Sequence, residues 1–373
     1  MLYFDNAATT IPSQSALKKA EVFNSELFFN PSSLYSGGLN CAREIRDAKQ
    51  SIINNLGALN HEVVFTSCGS ESDNMAIFCS VKRGMFVTDK GEHSAVYKSF
   101  LELKNRGQKV EFIDLNSDGS VNKDKLIDFI KNNNVDFVSI LHVNNETGAI
   151  NDVNDIAKRI KTLNRKIIFH VDGVQAYGKI PFRLSSDIDL YSISAHKINA
   201  LKGTGALLKK KGINLNPLIF GGGQEGGYRS GTENLFGIKV FEYAGLEKYK
   251  NIRENYQKVK QLRDIVIEKL NKNLFVFISN ENCSPYILTV SAKGLRGEVV
   301  MHALETQGII VGNGSACSSK NRYSRVIESC GYDKDVLDGV IRISFSHYNT
   351  LEECLTLVKT LNSTVEKLRG ILN

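Results

Sequence analysis

The stretch SISAHKINALKGTG, Ser192 to Gly205, passes from an apolar run into serine, histidine and lysine, and then into glycine-rich chain. With DLY before it, the run reads as a buried strand that ends in Ser194, His196 and Lys197. A lysine there must either reach water or hold a group that makes its burial tolerable. Around it, from about residue 41 to 210, short β-branched and aromatic runs alternate with amphipathic stretches. The strand candidates are EVVFT, GMFVTD, KVEFIDL, DFVSILHV, KIIFHVD, DLYSISA and GALLKK. Helical spacing marks segments between them, such as SAVYKSFLELKNRG and VNDIAKRIKTLN. Strands separated by helices predict an α/β fold with a largely parallel sheet covered on both faces.

Residues 235–273 hold no proline and two early glycines, which predicts one long, increasingly charged helix bridging two lobes. After it, FVFIS, YILTVSA, the helical RGEVVMHALETQG, IIVGNG, VIRISFS and a closing helix from Thr350 predict a smaller α+β domain. The expected organisation is a large domain over residues 12–250 and a small one built from residues 1–11 and 251–373.

At 373 residues, 42% hydrophobic and 23% charged, the composition is that of a globular protein. The net charge of +7 is diffuse. Its densest run, Lys209-Lys210-Lys211 before Gly212, reads as a solvated turn, because no aromatic residues interleave with it as a nucleic-acid groove requires. No apolar run is long enough to cross a bilayer, and the N-terminus lacks the basic and cleavable features of a signal peptide. Seven cysteines without a C-x-x-C pair argue against a disulfide framework and a cysteine metal site. They predict a reducing, cytoplasmic setting in which most thiols are buried spectators.

Polar clusters follow five of the apolar strands: Gly69-Ser70-Glu71, Glu92-His93, Asn144-Asn145-Glu146, Asp172 to Gln175, and Ser194-His196-Lys197. In an open parallel sheet, ligands bind beyond the carboxyl ends of strands, so five such clusters suggest one shared site. No G-x-G-x-x-G or Walker-type loop accompanies them, which disfavours a dinucleotide or nucleoside triphosphate. The site calls for an anionic ligand that can use a lysine. Pyridoxal 5′-phosphate meets that demand: its aldehyde bonds a lysine, its ring nitrogen wants a carboxylate, and its phosphate wants hydroxyls at a helix start. Asp172 fits the carboxylate and Ser70 the phosphate. Singly, each has a plainer reading: Asp172 and Ser70 as caps, His93 as a satisfied histidine, Lys197 as a snorkelling surface residue. Jointly, on one sheet edge, the functional reading is stronger.

A second constellation lies downstream in VGNGSACSSKNRYS, Val311 to Ser324, where Cys317 sits on a polar loop (about 312–324) after a strand. An accessible cysteine on such a loop is a nucleophile candidate. Arg342, alone in the apolar VIRISFS, needs a carboxylate, either internal or on a substrate.

YFDNAATT, NPSS, VNNETG, HVDGVQAYGK, SAHK, GGGQEGGYRSGTEN and GSACSS occur in that order from residue 3 to 319. As an ordered set they resemble the class I cysteine desulfurases, the NifS/IscS-like type. The resemblance implies a fold-type-I homodimer dependent on pyridoxal 5′-phosphate. Its large domain would carry a mainly parallel mixed sheet between helices, beside a smaller α+β domain. Such enzymes turn L-cysteine into L-alanine and keep the sulfur as an enzyme persulfide. They deliver it to an acceptor protein, an iron–sulfur scaffold or a tRNA- or cofactor-thiolation enzyme.

Carried over motif by motif, Lys197 would bond the cofactor, Asp172 would face its ring nitrogen, and His93 would stack on the ring and assist proton transfer. Asn145 and Gln175 would address the phenolic oxygen. Gly69, Ser70, Ser194 and His196 would hold the phosphate, and Thr232 would reach the phosphate of the neighbouring subunit. Arg342, with Asn145, would bind the substrate, and Cys317 would accept the sulfur; no metal is implied. Three departures from the family pattern stand out: Cys68-Gly69-Ser70 for Gly-Ala-Thr, Asn199-Ala200-Leu201 for the Tyr-Gly-Pro after the lysine, and Tyr35 for a histidine. The rival readings are a lyase or aminotransferase with the same cofactor acting on another amino acid, selenocysteine included, and a non-catalytic paralogue. Cys317 discriminates against the first, and the presence of Lys197, Asp172, His93 and Cys317 together against the second.

Overall fold

The computed structural model describes residues 1–81, 83–313 and 323–372. Among them the main sheet has seven strands: β2 (His61–Thr66), β3 (Met85–Asp89), β4 (Lys109–Ile113), β5 (Phe137–Leu141), β6 (Ile168–Asp172), β7 (Leu190–Ser194) and β8 (Gly205–Lys210). Their spatial order is β2-β8-β7-β6-β5-β3-β4. β8 runs antiparallel to both of its neighbours, and the other neighbouring pairs are parallel. β5 and β7 are buried along their whole length, which is why FVSIL and LYSIS are so continuously apolar. All strands except β8 therefore point their carboxyl ends the same way, and the loops that leave those ends carry the polar clusters.

A smaller antiparallel sheet pairs β10 (Ile287–Ala292) with β9 (Phe275–Phe277) on one side and β12 (Val340–Ser344) on the other. The N-terminal strand β1 (Leu2–Phe4) pairs in parallel with β11 (Ile309–Val311). Buried apolar side chains gather accordingly. One cluster draws on residues 16–244, and another joins Phe4 to residues 259–365.

Two sequence expectations are corrected. The segment 235–273 is two helices, Leu235–Lys250 and Ile252–Lys269, parted at Asn251 (φ −126°, ψ 29°). The first is buried almost all round within the large cluster, whereas the second presents Val259, Leu262 and Val266 to the small sheet. The break lets one continuous stretch serve two cores without proline or glycine to mark it. The lysine run is not a solvated turn either. Lys209 and Lys210 end β8, and strand alternation turns Lys209 inward, where it is 2% exposed. There it pairs with Glu62, donates to the Ile213 carbonyl at 2.7 Å and lies 5.2 Å from the Tyr228 ring centroid.

Gly173 shows how tightly the sheet end is packed. A Cβ there would lie 2.0 Å from Cζ of Tyr191, a buried ring whose hydroxyl is 2.9 Å from His142 Nδ1. Gly173→Ala should force that ring out of place and destabilise the protein by about 1–3 kcal/mol, the usual cost of overpacking. The readout is a thermal melt beside wild type, and an unchanged melting temperature would contradict this packing.

Candidate active site

The polar clusters converge on a cavity of about 330 Å³ at the carboxyl ends of β2, β5, β6 and β7. β2 delivers Cys68, Gly69 and Ser70 at the start of the helix Gly69–Ser80. His93 caps the helix Ser94–Asn105, its Nδ1 accepting from the Ala95 amide at 3.2 Å. Burial and the charges of Lys197 and Arg325 push the His93 imidazolium down to about 4, so the ring is neutral at neutral pH. Asp172, the last residue of β6, accepts from the Val174 amide at 2.9 Å, and burial raises its carboxyl to about 6.

Lys197 follows β7 on a short helical turn, and its Nζ donates to the carbonyls of Ala7 (2.6 Å) and Ala8 (2.8 Å). Gln175 is held at both ends, its Nε2 donating to the Ala7 carbonyl (2.8 Å) and its Oε1 accepting from Lys179 (2.7 Å). His196 Nδ1 lies 3.1 Å from the Thr9 hydroxyl, and burial with the nearby Lys197, Lys179 and Lys202 charges lowers its imidazolium to about 4. The turn after Lys197 places Asn199 in the left-handed region (φ 67°). Asparagine tolerates that conformation, and here its amide donates to Thr10 Oγ1 and its Nδ2 to the Ile11 carbonyl, both at 2.7 Å. Hydrogen bonds thus fix a turn that proline stiffens in the family pattern.

Arg342 reaches the cavity from β12. It has found an internal carboxylate, Asp5 at 2.9 Å, and it also donates to the Asn145 carbonyl at 2.9 Å. Its buried Nε has no partner. Of the expected residues, Gly69, Ser70, His93, Asn145, Asp172, Gln175, Ser194, His196, Lys197 and Arg342 all line this cavity. Thr232 does not; it is exposed and lines a separate cleft with Thr66, Glu225 and Arg229. Cys317 lies outside the described residues, although Asn313, four positions before it, lines the cavity.

The sequence reading missed Asp73, Asp5 and Lys179. Asp5 and Lys179 stand inside YFDNAATT and HVDGVQAYGK, so their motifs were visible and their roles were not. Asp73 sits one turn into its helix and is 1% exposed.

A family model, Aminotransferase class-V, matches residues 2–357. The chain belongs to the class-V aminotransferase family. Within it, the chain is 34% identical over 380 residues to a cysteine desulfurase of Nostoc sp., covering all of this chain and 94% of the relative. It is 35% identical to a cysteine desulfurase IscS of Dictyoglomus turgidum, covering 99% and 96%. A solved NifS-like protein superposes with a TM-score of 0.91 at 32% identity, covering 98% of this chain and 99% of the other.

As a class-V aminotransferase, the protein uses pyridoxal 5′-phosphate. The cavity fits that group. Ser194 Oγ is buried without a partner, as a phosphate ligand would be before its anion arrives. Gly69 opens the helix beside it, and a Cβ there would lie 2.8 Å from Val174 Cγ2 and 3.4 Å from Ser194 Cβ, filling the cradle. Asp172 supplies the carboxylate and Lys197 the amine.

Beneath the cavity, His170 Nδ1 lies 2.9 Å from the Ser139 hydroxyl and Nε2 2.9 Å from that of Ser192, with burial pushing the imidazolium down to about 3. The folded ring stays neutral while the unfolded one protonates below its ordinary 6.5. Between those values the unfolded chain binds more protons, so stability is lost on acidification, by about 1.4 kcal/mol for each pH unit. His170→Gln should therefore lose melting temperature less steeply than wild type between about pH 6 and 4. Equal slopes would count against a neutral buried ring.

Proposed function

We propose that the protein is a cysteine desulfurase that converts L-cysteine to L-alanine and retains the sulfur as a persulfide on Cys317. The observation that carries this reading is one cavity shared by Lys197, Asp172, His93 and Arg342, with Asn313 in its wall. Cys317 is four residues past Asn313, so its Cα stays within about 14 Å of that wall whatever path the chain takes. A thiol required to visit the cavity and then leave it is suited by such a tether.

The cofactor, when bound, withdraws electrons from the substrate's α-carbon. The protein's own groups do the rest. Lys197 is the amine that would bond the cofactor's aldehyde, and once released it would take and return the substrate's α-proton. Its reach is set by the Ala7 and Ala8 carbonyls. Neutral His93 would cover the ring without adding charge, and Asp172 would balance the ring nitrogen. Gln175, oriented by Lys179, and Asn145 would address the phenolic oxygen. Gly69, Ser70, Ser194 and His196 would hold the phosphate. Arg342 meets the substrate carboxylate through its unpartnered edge, with Asp5 keeping the guanidinium in place. The Cys317 thiolate attacks the substrate sulfur; an S–S bond forms, the C–S bond breaks, and the carbon left behind takes a proton to become the methyl of alanine.

We further propose a homodimer in which Thr232, exposed on its own subunit, completes the partner's phosphate site. The lobes are residues 12–250, and 1–11 with 251–373. The persulfide passes to an acceptor protein of iron–sulfur assembly or of tRNA or cofactor thiolation, in the cytoplasm. No helix among the described residues is long and apolar enough to cross a membrane.

Cys317→Ala should reduce sulfide release from L-cysteine to background while the visible absorbance of the lysine-bound cofactor survives. Mass spectrometry of the wild type after incubation with L-cysteine should find one added sulfur on the peptide holding Cys317. Sulfide release at the normal rate from the variant would remove the assignment in favour of a lyase. Arg342→Leu should raise KM for cysteine roughly 10- to 100-fold, the scale of a lost charged hydrogen bond. For the dimer, mixing the inactive Lys197→Ala with Thr232→Ala should regain activity, because one of the two hybrid sites then holds both native residues. Mixtures no more active than their parts would place Thr232 outside the site.

A further inference from the structure

One wall of the cavity carries a thiol that the roles above leave idle. Cys68 lines the cavity and stands at the N-cap of the helix Gly69–Ser80, where its side chain makes no capping hydrogen bond. Its Sγ lies 3.8 Å from the Ser67 hydroxyl. Among the described cysteines, Cys41, Cys79, Cys283, Cys330 and Cys354 are buried, and Cys68 is half-buried. Burial pushes the thiols of Cys79 and Cys283 up to about 11 and those of Cys330 and Cys354 up to about 12. At neutral pH these four hold almost no thiolate, which is the form that reacts.

The surroundings of Cys68 call for an anion. Ser194 lines the same cavity at 2% exposure, and its Oγ has no hydrogen-bond partner. A Cβ on Gly69 would lie 3.9 Å from that oxygen, which puts it at the start of the helix, beside Cys68. The first amides of this 12-residue helix have no partner within it, and the helix dipole favours negative charge there. Lys197 and Arg342 add cationic groups to the cavity wall. The nearby carboxyls oppose an anion only weakly: Asp5 pairs with Arg342, and burial raises Asp172 and Asp73 toward their neutral forms. Space is short as well. The same Cβ would lie 2.8 Å from Val174 Cγ2, so a group bonded to Cys68 and a phosphate do not fit side by side.

We propose that Cys68 is a covalent modification site for small disulfides that carry a carboxylate, open while the cofactor is absent and covered once its phosphate is seated. The Cys68 thiolate attacks one sulfur of the disulfide. A new S–S bond joins Cys68 to that half, and the old S–S bond breaks. The other half leaves as a thiolate and takes up the proton that Cys68 lost. The Cys68 sulfur is oxidised and the departing sulfur is reduced, so no further oxidant is needed. The retained carboxylate then occupies the helix start and Ser194, where the phosphate belongs. Cofactor loading thus requires a reduced cradle, and an external thiol lifts the block by the same exchange. This rests on the cofactor reading above, because an empty cradle is what exposes the thiol.

The test incubates the cofactor-free full chain with dithiodipropionate, digests it in acid and weighs the peptides. The peptide holding Cys68 should gain one mercaptopropionate, and the same peptide from the cofactor-loaded chain should gain none. The treated chain should bind pyridoxal 5′-phosphate on the order of 100-fold more weakly, the scale of two lost charged hydrogen bonds, and dithiothreitol should restore it. Cystamine, which carries ammonium groups in place of carboxylates, should label Cys68 more slowly once both rates are divided by those for a free thiol in solution. Cys68→Ser should bind the cofactor equally well before and after treatment. The proposal is overturned by label confined to the Cys317 peptide, by unchanged cofactor affinity in a chain labelled at Cys68, by equal corrected rates for the two disulfides, or by a Cys68→Ser chain that treatment still blocks. Each of these leaves the cofactor reading standing. An untreated chain that binds no pyridoxal 5′-phosphate overturns that reading and the proposal with it.

Discussion

One main-chain oxygen carries much of the site's geometry. The Ala7 carbonyl accepts from both Lys197 and Gln175, and the Ala8 carbonyl beside it accepts from Lys197 again. These oxygens belong to a segment fixed on both flanks. On one side Ala7 donates to the Ser344 hydroxyl, and Asn6 donates to the Ser344 carbonyl. On the other, Thr10 donates to the His196 carbonyl, and Ser13 to that of Asn199. The N-terminal segment therefore runs between the large sheet and β12, and the reactive amine is positioned from a part of the chain almost 200 residues away in sequence. Loosening this seam would disturb the lysine, the glutamine and the guanidinium together, because Asp5 in the same segment holds Arg342.

Desolvation sets the chemistry of the floor. His93, His170 and His196 are all held neutral, while Asp172, Asp73 and Glu92 are all pushed toward their protonated forms. A site in which imidazoles are uncharged and carboxyls are raised by burial suits a ligand that brings its own charges, both anionic and cationic. That describes a phosphorylated, protonatable ring better than a metal ion or a nucleotide. The basic neighbours have their own partners, and burial pushes Lys179 well down toward its neutral form. Arg325 lies 3.7 Å from the Tyr97 ring centroid and donates to the Glu92 carbonyl, and Lys179 is spent on Gln175.

Much of this was legible in the sequence, for a physical reason. Strand ends in a parallel sheet are marked by an abrupt change from apolar to polar residues, and five such changes located Ser70, His93, Asn145, Asp172 and Lys197 without any coordinates. Helix breaks carry no comparable mark: Asn251 interrupts a run that sequence joins, since asparagine is tolerated within helices and used at their ends. Lys209 was misread because charge suggests solvent, whereas a strand's alternation sent it inward to Glu62. Asp73 was overlooked because ESDN reads as an ordinary polar helix start, and its burial comes from the sheet beneath it. Thr232 could be placed only by resemblance, because the chain's own fold does not bring it to the cavity.

The pairing of β1 with β11 bears on how the molecule comes into being. Leu2 sits opposite Ile309, so β1 leaves the ribosome well before its partner, which is made roughly 300 residues later. At about 5–20 residues per second, that is on the order of 15–60 seconds. The seven-stranded sheet is fully translated by Lys210, well before then. The carbonyls that anchor the reactive lysine thus leave the ribosome ahead of the whole large sheet, and they are seated among the last, when the chain closes on itself.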